Sequence, residues 1–352
     1  MSALVDRALE PLDELRRALW HAVLRIPALR GVLVRRATRV PLLLSLHALC
    51  ALSVALLAPA VSLVLAPLVF GVPHLAADVR YLMLRRALPR ALWIALALGG
   101  LSIFALRLFY TPGWLHADPL FVEHALGSCE LLAAALIGAI MSTSRARSAL
   151  TFTAACALSG FALLRPELFR IGLVHAHNLV AIILWAVLFR RAKLSMSWLP
   201  LGLIALATVA LLSGVGLNFS LRHGILSLWG MHFFEAADQL APNIAGELGL
   251  SLTLSFAFLQ SVHYAIWLMA IPQEDARAEG SPSFRMKAHS LVRDFGRTGC
   301  WIITALVCLM ALGSALSPIR ARNTYLTLAT FHAWLELAVL AFFANGMPAD
   351  KP

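Results

Sequence analysis

Residues 41–73 read PLLLSLHALCALSVALLAPAVSLVLAPLVFGVP, 33 residues in which His47 is the one strongly polar side chain. A helix rises about 1.5 Å per residue, and a hydrocarbon core about 30 Å thick takes roughly 20 residues to cross. The stretch is too long for one crossing, so it predicts a hairpin of two membrane helices turning near Pro59. Working outward, the apolar runs are 41–58, 60–84, 91–110, 121–143, 148–164, 171–189, 198–217, 247–271, 298–317 and 324–345. The expected fold class is all-α, a polytopic transmembrane bundle of about ten spans.

Composition agrees. The chain is 60% hydrophobic and 13% charged, with a mean hydropathy of +0.81, whereas soluble domains carry roughly 25% charged residues. The net charge of +11 does not imply nucleic acid, because the basic residues form short clusters between apolar runs and no continuous stripe. With the amino terminus inside, only Arg107, Arg165, Arg170, Arg222, Arg320 and Arg322 of the 29 Lys and Arg fall in outer segments. That bias predicts both termini in the cytoplasm and residence in the inner, cytoplasmic membrane.

The implied organisation is a cytoplasmic amphipathic segment (1–40), a membrane domain (41–345) and a short cytoplasmic tail (346–352). Asp6, Glu10, Asp13 and Glu14 interrupt any secretory apolar core, while Val5, Leu9, Leu12, Leu15 and Leu19 recur at helical spacing. A helix lying against membrane lipids is expected there. Residues 218–246 read as a re-entrant or interfacial helix at the outer face, and 272–297 as an inner loop leading into a basic helix start. The five cysteines lie inside apolar runs without a CxxC pair and are expected to be buried small hydrophobes.

Ionisable side chains in hydrocarbon persist mainly with partners or a task. Of twelve histidines, His47, His74, His177, His263 and His332 fall inside spans, and His124 and His175 close to outer ends. In Gly71-Val-Pro73-His74-Leu-Ala-Ala-Asp78, His74 and Asp78 share a helix face, so the carboxylate suits the far ring nitrogen of a metal-bound imidazole. The alternative is a Pro-kinked helix in which the two satisfy one another. His332-Ala-Trp-Leu-Glu336 repeats the interval. Gln260-Ser-Val-His263-Tyr264 is followed by Trp267, which reads as packing. His175 and His177 point about 200° apart, so only one can face a given ion.

From the span ends, His74 lies about 15 Å deep and His263 and His332 about 12 Å, so all three approach the midplane. Imidazoles converging without thiolates suit iron, copper or zinc. The expected ligands are His74, His263 and His332 with one of His124 or His177, and Asp78, Glu336 and Gln260 orient them. A haem-binding electron-transfer protein and a proton-coupled transporter are the alternatives from other classes.

Gly71-Val-Pro73-His74 with Asp78 resembles the Gly-x-Pro-His-x-x-x-Asp helix of the bacteriorhodopsin-related-protein (Brp/Blh) family. Leu328-Ala-Thr-Phe-His332-Ala-Trp-Leu-Glu336 is similar to that family's closing helix, and Gln260-Ser-Val-His263 to its Phe-x-His helix. The family's paired His-x-x-x-His is met here by His263 and Trp267. The resemblance covers three short segments. It implies a membrane-embedded dioxygenase using histidine-bound iron(II) and dioxygen on a lipophilic substrate such as a carotenoid.

Overall fold

The computed structural model describes residues 2–110, 118–189, 196, 198–244, 246–275 and 283–346. An amino-terminal pair, α1 (Ser2–Leu24) and α2 (Pro27–Leu33), precedes α3 (Arg36–Leu57) and α4 (Pro59–Asp78). The predicted hairpin is present and turns at Ala58-Pro59. Next come α5 (Arg90–Tyr110), α6 (Pro119–Met141), α7 (Arg145–Leu164), α8 (Pro166–Leu184), α9 (Trp198–Leu212) and α10 (Val215–His223). A two-stranded hairpin, β1 (Ser227–Leu228) and β2 (Met231–His232), leads into α11 (Phe233–Leu240). The chain ends with α12 (Glu247–Ala265), α13 (Ile271–Glu274), α14 (Phe284–Leu316), α15 (Pro318–Leu328) and α16 (Phe331–Ala344).

Local chemistry sets many of these boundaries. Proline opens α2, α4, α6, α8 and α15, where its missing N–H has no helical partner to lose. Asp118, Ser144 and Ser283 cap α6, α7 and α14 through side-chain oxygens that accept backbone N–H groups.

Among the described residues nine helices are long and apolar enough to cross a membrane, and α9 with α10 supplies a tenth as a bent pair. The predicted span 198–217 is corrected here: α9 stops at Leu212, and α10 leaves at 74° after Gly214, whose φ of 81° suits a residue without Cβ. The expected outer-face helix over 218–246 is replaced by the end of α10, the strand hairpin and α11. Trp229 and Gly230 form the hairpin turn with positive φ, as two-residue turns require. The predicted last span is broken at Ala329-Thr330, between α15 and α16. The cysteines are corrected too: Cys50, Cys129, Cys156 and Cys308 are exposed on the outer surface and Cys300 is half-buried. A thiol is apolar enough to face lipid as readily as a core.

The centre of the bundle is α12, whose spanning window is 83% buried, whereas that of α14 is buried nowhere. The hub packs against α3, α4, α8, α9 and α11. Its Ser251, Thr253, Ser255, Gln260 and His263 are therefore surrounded by protein, which makes their polarity tolerable at membrane depth.

One end of the bundle is tied by arginines. Arg39 Nε donates to Gln273 Oε1 at 3.0 Å, Arg80 Nε to Asp294 Oδ2 at 2.7 Å and Arg86 Nη2 to the Leu188 carbonyl at 3.0 Å; Arg85 pairs with Asp275. Arg86 also lies 5.7 Å from the Phe343 ring near the end of α16. At this end α1 docks on α14, where Asp13 accepts the backbone N–H of Phe284 at 2.7 Å and of Arg285 at 3.3 Å. Leu12, Leu15 and Leu19 of α1 remain exposed.

Candidate metal centre

Four histidines from four helices meet inside the bundle. Ring centroids lie 5.3 Å apart for His74 and His263, 5.2 Å for His263 and His177, 5.2 Å for His177 and His332, and 5.1 Å for His332 and His74. His263 and His332 face each other across this ring at 6.0 Å. His74, His263 and His332 each offer a ring nitrogen within 4.8 Å of the others, and all three are buried. Metal–imidazole bonds are about 2.0–2.1 Å, so three nitrogens in that compass bracket a single ion.

The helices hold the rings by their Nδ1 atoms. His74 Nδ1 lies 3.3 Å from the Phe70 carbonyl, His177 Nδ1 lies 3.1 Å from the Leu173 carbonyl, and His332 Nδ1 meets the Ala329 carbonyl at the α15–α16 break. An Nδ1–H donating to a carbonyl leaves the lone pair on Nε2, the tautomer a metal takes. Nε2 of His74 and of His332, and both ring nitrogens of His263, are buried without a hydrogen-bond partner. Buried polar atoms rarely stay orphaned, so these nitrogens are free for a ligand. The donor set therefore fits a transition-metal ion.

Wide turns with π-helical bonding follow the ligand positions on three of these helices: Val79–Leu84 after α4, Trp185–Phe189 after α8, and Ile266–Ala270 after α12. Such turns rotate the residues beyond them relative to a regular helix. On the fourth helix the break at Ala329-Thr330 does the equivalent, placing His332 at the start of α16.

The carboxylates do not sit as a simple repeat of His plus acid. Asp78 and Glu336 are fully buried and close enough to interact with one another, and neither Asp78 oxygen has a hydrogen-bond partner. Glu336 Oε1 accepts from Trp267 Nε1 at 2.9 Å and lies 3.8 Å from His263 Nε2. Trp267 thus has a polar partner at the centre, beyond the packing role its position suggested. Gln260 donates to the Tyr264 hydroxyl at 3.2 Å, and the Tyr264 ring lies 4.5 Å from that of His74.

Of His124 and His177, the ring that joins the three is His177. His124 instead packs edge-on against the stacked rings of Phe169 and Trp334, with Nδ1 3.1 Å from the Ala162 carbonyl. His175 and His47 turn elsewhere, to the carbonyls of Leu240 and Ser261.

A cavity of about 510 Å³ reaches the cluster, lined by His74, His177 and His332 and further out by His124 and Gln239. Its wall carries two ion pairs, Arg107 with Glu123 and Arg170 with Glu167, and the buried Arg322. Arg322 and Tyr325 carried no signal in the sequence beyond being polar residues near a span end. Tyr325 places its hydroxyl 3.3 Å from His74 Nδ1. It comes that close because Gly71 has no Cβ; one there would lie 2.6 Å from the Tyr325 ring. No known protein family, curated protein or solved structure matches this chain.

Proposed function

We propose that this protein is a membrane-embedded oxidoreductase that binds iron(II) through His74, His177, His263 and His332 and uses dioxygen on a lipophilic substrate such as a carotenoid. The reading places it in the cytoplasmic membrane with both termini inside, and it is in keeping with the resemblance of three segments to the Brp/Blh family. The observation that carries it is the convergence of four imidazoles, three of them with orphaned ring nitrogens, without a thiolate, in the protein interior. Iron held by these four imidazoles would supply dioxygen activation. The protein's own part is to anchor three rings by Nδ1 and to keep Glu336 beside His263, with the fully buried Trp267 donating to the same carboxyl group.

A haem reading fits poorly. Haem iron takes two axial ligands, and two further imidazoles at these separations would occupy the plane of the macrocycle. Protein purified without chelators is expected to carry about one iron per chain, to lack a Soret band, and to bleach a β-carotene-accumulating host. Metal far below stoichiometry overturns the centre. Unchanged host colour with stoichiometric metal overturns the carotenoid alone.

A further inference from the structure

Resting on that reading of the metal centre, the cavity wall points to the chemistry of what binds beside it. Three guanidinium groups and two carboxylates line the space. Glu123 is paired with Arg107, and Glu167 with Arg170 at 3.1 Å, which leaves Arg322 as the cation in excess. Arg322 is 1% exposed and has no carboxylate partner among the described residues. A charge buried in protein without a counter-ion is costly, so it persists for a structural or a binding reason.

The structural reason accounts for one edge of the group. Pro67 has no N–H, so the Leu63 carbonyl four residues earlier has no helical donor, and Arg322 Nε supplies one at 2.8 Å. Nη1 donates to two neutral amide oxygens, of Gln239 at 3.2 Å and Asn323 at 2.7 Å. Nη2 has no hydrogen-bond partner among the described residues. A guanidinium presents five N–H donors in a planar fork that matches a carboxylate or phosphate.

Position ties this fork to the metal centre. Arg322 and Tyr325 lie three apart on α15 and share a face. The Tyr325 hydroxyl touches His74, so a group held at Arg322 sits about one helical turn from the cluster. Leu173, Val174, Leu240, Phe256 and Leu326 supply apolar wall in the same cavity. Its volume of about 510 Å³ falls in the range of roughly 300–1,000 Å³ for small-molecule sites.

We infer that the ligand of this cavity is an amphipathic acid, a lipophilic chain ending in a carboxylate or phosphate, whose oxyanion is held by Arg322 while its chain is presented to the histidines. A hydrocarbon such as β-carotene would leave the guanidinium uncompensated, so within the lipophilic class proposed above the cavity favours an acid.

The test uses full-length protein in detergent, with palmitate, cetyl phosphate, cetyl alcohol and hexadecane as probes and acetate and inorganic phosphate as competitors. Palmitate or cetyl phosphate should bind roughly 10–100-fold more tightly than cetyl alcohol, the size of one charge-assisted contact; which of the two wins identifies the head group. Arg322→Gln should remove that preference. Because it also unpairs the Leu63 carbonyl, Gln239→Glu is the second variant. It keeps the acceptor for Arg322 Nη1 but supplies the missing counter-ion, so thermal stability should hold or rise while anion affinity falls about tenfold or more. Equal binding of cetyl alcohol, undiminished palmitate and cetyl phosphate binding by Gln239→Glu, or displacement of palmitate by equimolar acetate or inorganic phosphate would each overturn the inference. Metal per chain is measured on the same samples. Wild-type protein that carries metal but shows no anion preference sinks the head-group site alone, whereas wild-type protein without metal sinks the centre.

Discussion

Trp267 Nε1 donates a 2.9 Å hydrogen bond to Glu336 Oε1, the oxygen that lies 3.8 Å from His263 Nε2. The indole and the imidazole stand about one turn apart on the hub of the bundle and meet one carboxylate from the closing helix. The acid that shares a helix with His332 thus serves the histidine of another helix.

Glu336→Gln should keep the acceptor for Trp267 and remove the carboxyl group beside His263. Iron affinity is expected to fall roughly 10–100-fold at normal folded yield, because groups that orient metal ligands usually contribute that much. Metal titration of detergent-purified variant against wild type measures it. A drop in yield with unchanged affinity would assign Glu336 to folding.

His74→Ala, His177→Ala, His263→Ala and His332→Ala should each lose most bound metal. His124→Ala, His175→Ala and His47→Ala should retain it, since those rings turn to the Ala162, Leu240 and Ser261 carbonyls. Metal per folded chain, normalised to monodisperse protein, separates the two groups. Metal loss in His124→Ala would move the centre outward along the cavity.

Gly71→Ala forces a Cβ against the Tyr325 ring. Overpacking of this kind costs about 1–3 kcal/mol, and the same displacement withdraws the hydroxyl from His74. Combined with Tyr325→Leu, the two costs should be markedly non-additive, because both act on one contact. Thermal unfolding of the three variants gives the coupling; strict additivity would mean that the ring does not press on α4.

Burial pushes the Asp13 carboxyl up, but the backbone N–H groups of Phe284 and Arg285 and the Arg285 guanidinium outweigh it and hold it below the ordinary value of 3.8. A depressed carboxylate stabilises the folded form above its unfolded value, and that contribution is lost as pH falls through the folded one. The docking of α1 on α14 should hold at neutral pH and weaken below about pH 4. Asp13→Ala should release α1 at all pH values, because the backbone N–H groups of Phe284 and Arg285 lose their acceptor. Limited proteolysis within α1 reports both effects.

Sidedness is tested by reporter fusions. The segments 111–117 and 276–282, which connect α5 to α6 and α13 to α14 in the chain, lie outside the described residues. A reporter at position 115 is expected outside and one at 280 inside. The same sidedness for both would overturn the topology.

The sequence by itself determined the solvent and the architecture. Hydrocarbon demands that the backbone bond internally, so runs such as 41–73 can only be helices, and their lengths count the crossings. It also marked His74, His263 and His332, because an ionisable group at such depth needs a task. It could not choose between His124 and His177. Both approach the midplane from the outer side, and the choice rests on how α6 and α8 rotate about their axes, which packing decides. The partner of Glu336 was hidden for the same reason: helical spacing shows which residues share a face within one helix, but not what faces them from the next. Arg322 was the least legible of all. Its place beside the centre follows from a carbonyl freed by Pro67 on another helix and from the break that ends α15. The broken backbone bonds of two distant segments met only when the chain was packed, and that meeting set a guanidinium one turn from the histidines.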